Sequence, residues 1–335
     1  MPDNIYQRQA GLLLRILPYV LQEEVFALKG GTAINFFWRD YPRLSVDIDL
    51  VYVKVLEREK SLRDISDHLA SIETTIRRIY PDIRTDQKRE ARSKQIYGLI
   101  VRVRDATVKI ETSKVIRGTV YPTERKKLCK KAEEIFELSL TATTSSFEDL
   151  YGGKICAALD RQHPRDLFDI KLLFDNEGIT DGIRKAFIVY LLSHDRPMVE
   201  ILNPGLKDIS QVFQQEFSGM TLEKMELTDL LGIRSKLIEE IKKSLKEDEI
   251  KFILSFKNKK PEWELLGLKG IEDLPAVKWK LINLNKMKPD KHKQAYEKLE
   301  EYLLGWWAQN WHNPSKRYDF KLKMKVAESP GLSAK

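Results

Sequence analysis

Residues 28–53, LKGGTAINFFWRDYPRLSVDIDLVYV, constrain the fold of this chain more than any other stretch. A short apolar run over residues 25–28 leads to the pair Gly30-Gly31, and residues 32–39 have the composition of a short helix. A glycine pair between an apolar run and a helix is typical of a tight turn at the end of a strand. The order therefore predicts a strand, a turn and a helix that form one unit.

A second strand follows, and it carries two acidic side chains on one face. Residues 45–50, SVDIDL, alternate between apolar and acidic positions, so Asp47 and Asp49 share the face opposite the apolar side chains. Mg²⁺ is commonly held by one or two such carboxylates together with substrate phosphates. The glycine turn ahead of a helix offers N–H groups that suit phosphate oxygens. Each feature alone is commonly a simple turn or a solvated strand face, whereas the two together indicate nucleotide chemistry.

The composition is that of a soluble globular protein. Its 335 residues are enough for two domains, and 42% of them are apolar while 32% are charged. No run approaches the roughly eighteen apolar residues of a membrane span, and the N-terminus lacks a signal-peptide layout. We therefore expect a cytoplasmic protein with no membrane partner. Cys129 and Cys156 stand apart, which indicates neither a disulfide framework nor a zinc site. The formal charge of +8 permits contact with nucleic acid.

Hydrophobic spacing predicts the remaining elements. Helical periodicity predicts helices at residues 5–21, 57–80, 147–161, 164–173, 181–193, 207–217, 228–246 and 294–307. Residues 95–104 and 107–115 alternate like the two strands of a β-hairpin, and EIFELSL at 134–140 is a further strand candidate.

Basic residues crowd the hairpin and the segment after it. Such runs are commonly hydrated surface, but basic residues that face a cleft would steer a polyanion such as RNA towards it. Aromatic residues are sparse between them, which favours a structured substrate read through its backbone over base stacking. The residues are Arg84, Lys88, Arg89, Arg92, Lys94, Arg102, Arg104, Arg125, Lys126, Lys127, Lys130 and Lys131.

A second polar cluster lies far along the chain, in KICAALDRQHPRDLFDI. Lys154 is surrounded there by apolar residues, and Asp166 and Asp169 fall on one face of the following helix. In an ordinary helix such a lysine extends its ammonium to solvent, and the two aspartates pair with Arg165 or Lys171. Taken alone, the cluster therefore has a purely structural explanation.

The two clusters together resemble a known family. A Gly-Gly turn, a helix and a D-x-D strand resemble the signature of the nucleotidyltransferase superfamily. More narrowly, GGTAINFF…RLSVDIDL and KICAALDRQHPRDLFDI are similar to motifs of the AbiEii/AbiGii-type, MenT-like nucleotidyltransferase toxins of toxin–antitoxin and abortive-infection systems. The specific motifs of this resemblance cover residues 25–53 and 145–173.

The resemblance implies an α+β fold. Its nucleotidyltransferase-like (polymerase beta-type) core is a small mixed sheet with flanking helices, and a mainly helical C-terminal domain follows. We accordingly expect the core with the catalytic motifs at residues 1–177, the helical domain at 178–315 and a basic tail at 316–335.

The resemblance also implies the site residues. Lys154 and Asp166 match catalytic positions of the second motif, while Asp169 fits the motif in a structural role. Asp47 and Asp49 are expected to be catalytic and to bind the metal. Glu111, on a later strand, is expected as the third metal ligand, although a lone strand glutamate is otherwise commonly solvated. The residues expected to bind the nucleotide are Gly30, Gly31, Thr32, Arg43, Ser45 and Lys154.

The implied activity is the transfer of a nucleoside monophosphate from an NTP to the 3′ end of tRNA, with release of pyrophosphate. This transfer depends on Mg²⁺, for which Mn²⁺ can substitute, and it blocks aminoacylation and hence translation. A cognate antitoxin protein is the expected partner. Two alternatives remain open: the same core could modify a protein or a small molecule, or it could bind nucleotides without catalysis. The basic hairpin favours RNA over a small molecule, and the intact motif acids and lysine favour catalysis.

Overall fold

The structure is a computed structural model that describes residues 5–310, with side chains described through residue 305. The chain divides into two compact units, Met1–Lys286 and Met287–Lys335. The described part of the second unit contains one helix, Pro289–Asn310. The division expected at residues 177/178 remains a prediction, and the basic tail expected at 316–335 lies outside the described residues.

The first unit is built on a mixed seven-stranded sheet. Its strands are β1 (Phe26–Lys29), β2 (Asp47–Tyr52), β3 (Arg84–Arg89), β4 (Ile96–Val103), β5 (Ala106–Thr112), β6 (Glu124–Lys127) and β7 (Thr141–Thr144). They lie in the order β3-β4-β5-β2-β1-β7-β6. The β2–β5 and β1–β7 pairs are parallel, and the other neighbours are antiparallel. This sheet confirms the predicted α+β class with a mixed sheet.

The central strands bring polar residues together at one end of a buried core. Leu28 of β1 and Leu50 of β2 are opposite each other and fully buried. One step along, Lys29 lies opposite Asp49, and the parallel register places Asp49 opposite Glu111 of β5. Sheet pairing therefore sets residues from three strands beside one another.

Helices surround the sheet and continue after it. They are α1 (Ile5–Val20), α2 (Gly30–Ala33), α3 (Arg58–Ile79), α4 (Lys130–Phe136), α5 (Phe147–Arg161), α6 (Pro164–Asn176), α7 (Asp181–Ser193), α8 (Met198–Leu202), α9 (Ser210–Glu216), α10 (Leu227–Ser244), α11 (Glu247–Lys257), α12 (Pro275–Asn285) and α13 (Pro289–Asn310). Helix α2 continues as a π-helical stretch, Ile34–Trp38. Within residues 5–310, none of these helices combines the length and apolarity needed to cross a membrane.

A close approach of two helices fixes where α5 presents its polar side chains. The side chain of Ser146 caps the start of α5 by accepting a hydrogen bond from the N–H of Asp149 at 3.1 Å. A Cβ atom at Gly152 would lie 2.7 Å from the Cβ of Ala186 on α7. Glycine is therefore required for this packing. The packing outweighs the cost of about 1 kcal/mol that a glycine carries in a helix interior.

The predicted strand at 134–140 is wrong. Residues Lys130–Phe136 form α4, which ends where Glu137 adopts a left-handed conformation, and the strand begins only at Thr141. The alternation in EIFELSL produces no buried face, because Ile135 is 41% exposed. Instead, Phe136 packs edge-on against Tyr41, with ring centroids 5.7 Å apart. A tertiary contact thus overrides the local pattern.

Candidate active site

The glycine turn places bare backbone against the D-x-D strand. Gly30 has a φ of 70°, in the left-handed region that favours glycine. A Cβ atom at Gly30 would lie 2.5 Å from Oδ2 of Asp49. A Cβ atom at Gly31 would lie 2.6 Å from Nη2 of Arg43. Neither position has room for a side chain, so the turn presents bare backbone beside an acid.

Burial and repulsion outweigh the positive charge near Asp47, the first of the two aspartates of β2. Burial and the neighbouring charge of Asp49 raise the pKa of Asp47. Arg165, whose Nη1 atom lies 3.9 Å from Oδ2 of Asp47, and Lys109 oppose this rise without cancelling it. A divalent cation beside these oxygen atoms would relieve the repulsion, so the pair has the chemistry of a Mg²⁺ or Mn²⁺ site.

The backbone of Glu111 lies where the third acid was predicted, but its side chain is engaged elsewhere. Glu111 is opposite Asp49 in the parallel β2–β5 register. Its carboxylate forms an ion pair with Lys88 of β3. Among residues 5–305, no group of three or more His, Cys, Asp or Glu side chains is arranged to hold a metal ion. Metal binding by Glu111 therefore remains a prediction, and it requires the carboxylate to leave Lys88.

The second motif forms a buried network of charges. Lys154 is only 7% exposed, and its Nζ atom lies 3.0 Å from Oδ1 of Asp166 and 2.9 Å from Oδ2 of Asp169. Arg161 donates two further hydrogen bonds to Asp166, both of 3.0 Å. Burial opposes the ionisation of Asp166, but Lys154 and Arg161 outweigh it and lower the pKa of this carboxyl group. The network therefore holds a charged lysine in one place.

Arg43 joins the first motif to this network. Its guanidinium is 2% exposed and binds Asp169 in a bidentate manner, at 2.8 Å from Nε to Oδ1 and 2.6 Å from Nη2 to Oδ2. Its remaining nitrogen, Nη1, donates to the carbonyl oxygen of Leu44 at 2.8 Å. Burial opposes ionisation of Asp169 too, but Arg43 and Lys154 hold its pKa far below the ordinary value. Asp169 is therefore the shared counter-charge of two cations.

Thr32 and Ser45 brace the turn from inside. The hydroxyl of Thr32 lies 2.8 Å from that of Ser45 and donates to the carbonyl oxygen of Asp47 at 2.5 Å. Thr32 is fully buried and Ser45 nearly so. Like Arg43, both residues are occupied by protein partners, so the phosphate contacts expected of these three remain predictions.

A cavity of about 340 Å³ brings the two motifs together. Gly30, Gly31 and Asp49 line it from the first motif, and Lys154 and Arg161 line it from the second. Asp47, Glu111 and Asp166 are not among its lining residues in the described part of the chain. The cavity is large enough for part of a nucleotide.

Sequence reasoning missed Arg161, which is the most accessible cation of the network. Its side chain is 60% exposed, whereas Asp166, its partner, is buried. Arg161 follows Lys154 by seven residues, which places both on one face of α5, and this spacing was available as a signal. The pairing of Lys88 with Glu111 had no such signal, because it depends on the sheet order.

Comparisons with known proteins bear on the fold and the family of the chain. A search of curated proteins finds no match. Among solved structures, the chain is similar to MenT4, a nucleotidyltransferase toxin from Mycobacterium tuberculosis H37Rv, with a TM-score of 0.53 and 15% sequence identity. The match covers 82% of this chain and 92% of that one, and at this identity it shows the fold alone. A family model, described as the nucleotidyl transferase AbiEii toxin of a type IV toxin–antitoxin system, matches residues 11–281. Because this match spans most of the chain, the protein belongs to the AbiEii nucleotidyl transferase toxin family.

Proposed function

We propose that this protein transfers a nucleoside monophosphate from an NTP to the 3′ end of tRNA, with release of pyrophosphate, and thereby blocks translation. The observation that carries the proposal is the cavity in which Gly30, Asp49 and Lys154 meet. A turn suited to phosphates, an acid on a strand and a buried cation are held around one space. This is the arrangement that phosphoryl transfer needs, because its catalysis is largely positioning and charge neutralisation.

The acidic pair supports a divalent metal ion as cofactor. Asp47 and Asp49 would hold Mg²⁺ or Mn²⁺, and Glu111 would join them after releasing Lys88. When bound, the ion supplies positive charge that offsets the phosphate oxygens of the NTP.

The chain's own residues supply the remaining functions. The N–H groups of Gly30 and Gly31 donate to phosphate oxygens of the NTP. The acceptor hydroxyl forms a bond to the α-phosphorus and gives its proton to solvent, while the bond to the β-phosphate breaks. Lys154 neutralises the charge that develops on the leaving pyrophosphate. Asp166 is a positioning residue, because it accepts a hydrogen bond from Nζ of Lys154 at 3.0 Å.

Arg161 adds a second cation at the cavity wall. Its exposed guanidinium can reach an anionic ligand while two of its nitrogen atoms remain bonded to Asp166. We assign Thr32, Arg43 and Ser45 to supporting the turn and the D-x-D strand, since their polar atoms already have protein partners.

Two observations support RNA as the acceptor. The net charge of the chain is +8, and exposed arginines lie on and around the hairpin, including Arg84, Arg89 and Arg104. Such residues attract a polyanion in a salt-dependent manner. Membership of a toxin family supports a cognate antitoxin as the partner that limits this activity.

The test is a transfer assay with each of the four α-³²P-labelled NTPs, Mg²⁺ and total cellular RNA. The matched control is Asp49→Asn, which removes one charge and keeps the side-chain shape. Label in a tRNA-sized band with the wild type alone supports the proposal and identifies the donor. Label in a protein or a small molecule would assign a different acceptor, and binding of NTP without any transfer would indicate a non-catalytic module.

A further inference from the structure

A second cavity, of about 430 Å³, lies on the other side of a segment that borders the nucleotide cavity. Ile116 lines the nucleotide cavity, whereas its chain neighbours Val115 and Arg117 line the second space. One segment of chain therefore separates the two. We name this space the Trp279 groove, defined by Leu56, Arg58, Val115, Arg117, Trp279 and Ile282.

Exposed large apolar side chains cluster in the Trp279 groove. Among the residues that the structure describes, five of the ten exposed large apolar side chains line it. Trp279 is 47% exposed and Ile282 is 44% exposed. Contiguous exposed apolar surface of this kind commonly marks a binding site.

Arg117 is a buried cation that lines the same groove and forms no ion pair with any side chain of residues 5–305. Its side chain is 5% exposed, and its Nη1 atom donates to the carbonyl oxygen of Arg58 at 3.4 Å. Within residues 5–305 its Nε atom has no hydrogen-bond partner. Burial and the positive charge of Arg58 lower the pKa of Arg117. A buried, unpaired guanidinium is costly, and an anion that enters the groove would remove that cost.

The other charges of the groove leave its positive character in place. Asp273 is paired with Lys278, whose Nζ atom lies 2.9 Å from Oδ1 of Asp273. Glu57 is the other acid of the lining, and it is not among the charges that shift the pKa of Arg117. The guanidinium of Arg58 lies 6.0 Å from the centre of the Trp279 ring. An exposed aromatic ring beside two arginines is a typical site for an unstacked base and its phosphate.

We propose that the Trp279 groove binds an unstacked nucleotide of the acceptor RNA, with the base against Trp279 and the phosphate beside Arg58 and Arg117. The choice of RNA as the ligand rests on the proposed function. A strand that ends in the nucleotide cavity would cross the segment at Ile116 and place a preceding nucleotide in the groove. The groove thus supplies the stacking surface that the basic hairpin lacks.

The test measures binding of a single-stranded, 5′-fluorescein-labelled RNA octamer to the full-length protein by fluorescence anisotropy, without NTP or metal. Trp279→Ala is expected to weaken binding about 5- to 100-fold, whereas Trp279→Phe, which keeps an aromatic ring, changes it less than about threefold. Arg58→Ala is expected to lower the slope of log K against log salt by about 0.7. The matched control Arg63→Ala, on the same helix and 66% exposed, leaves that slope unchanged.

Equal affinity of the wild type and Trp279→Ala for the RNA octamer would overturn the proposal. The groove would then be a site for another ligand, such as a polypeptide. The transfer assay separates this outcome from failure of the proposed function. RNA binding that depends on Trp279, without labelling of RNA, supports the groove and contradicts the transfer. If Trp279→Ala labels RNA with an unchanged KM for RNA, the groove does not bind the acceptor, and the proposed transfer stands. A raised KM for RNA with an unchanged KM for NTP supports both proposals.

Discussion

Asp169 is the centre of the buried charge network, and we predict that Asp169→Asn destabilises the fold more than Asp166→Asn. The fully buried carboxylate of Asp169 lies 2.6 Å from Nη2 of Arg43 and 2.9 Å from Nζ of Lys154. A neutral amide would leave the guanidinium of Arg43, itself 2% exposed, without its paired carboxylate. Truncating one partner of a buried ion pair lowers the free energy of unfolding by about 3–5 kcal/mol.

Asp166→Asn leaves no buried cation without an ion-pair partner, so we expect it to lower the free energy of unfolding less. Lys154 would keep its contact with Asp169, and the side chain of Arg161 is 60% exposed and would be solvated. The loss of charge-assisted hydrogen bonds then lowers the free energy of unfolding by about 1–2 kcal/mol. The expected difference between the two variants is therefore about 2.5 kcal/mol, taking the centres of the two ranges.

Urea unfolding followed by far-UV circular dichroism at neutral pH measures both losses. The double variant Arg43→Met/Asp169→Asn is the control, because removing both charges should recover part of the stability lost in Asp169→Asn. Equal losses for the two single variants would refute the network as described. A double variant no more stable than Asp169→Asn would refute it as well.

Three further predictions follow from the geometry. Gly30→Ala should lower the rate of transfer at least about tenfold, because the added Cβ atom collides with a carboxylate oxygen of Asp49 and the backbone conformation costs about 1–2 kcal/mol more. Gly219 is the control, because it has a φ of 80° and no neighbour within 4 Å of an added Cβ atom. Gly219→Ala should therefore show the backbone cost alone in thermal unfolding. The lowered pKa of Asp169 contributes stability that is complete above the ordinary carboxyl pKa and is lost as the pH falls below it. In urea unfolding between about pH 5 and pH 2, the free energy of unfolding should therefore fall less with pH in Asp169→Asn than in the wild type. An equal dependence on pH in the two proteins would contradict this. Lys88→Met should release Glu111 and lower the Mg²⁺ concentration for half-maximal transfer by up to about fivefold, since a partly exposed ion pair of this kind is worth about 1 kcal/mol. An unchanged Mg²⁺ requirement would argue against Glu111 as a ligand.

Helices α5 and α7 were predictable because local signals define them. Predicted bounds of 147–161 and 181–193 match α5 and α7, whose first turns are capped by the side chains of Ser146 and Thr180. The glycine pair and the D-x-D alternation likewise predicted the turn and strand that meet at the cavity. Apolar spacing and capping residues act over a few positions, so a sequence reveals them.

Contacts between distant residues could not be predicted in the same way. The pair of Arg43 with Asp169 joins residues 126 positions apart, and it occupies an arginine that was expected to contact phosphate. Strand β6, of sequence ERKK, has no apolar alternation and exists through its pairing with β7. Helix α4 replaced a predicted strand because Phe136 packs against Tyr41. In each case a residue that is distant in the sequence determines the local structure, and the sequence alone does not identify that residue.

The most direct measurement of the central claim is calorimetric titration of the protein with a non-hydrolysable NTP analogue in Mg²⁺, repeated for each of the four bases. We predict that at least one analogue binds the wild type and that Asp49→Asn and Lys154→Met each weaken this binding about tenfold or more. Lys171→Met, in the same helix as Asp169 and outside the cavity, should leave the affinity unchanged. Unaltered affinity in both cavity variants, with intact thermal unfolding, would contradict the claim that the two motifs form one nucleotide site.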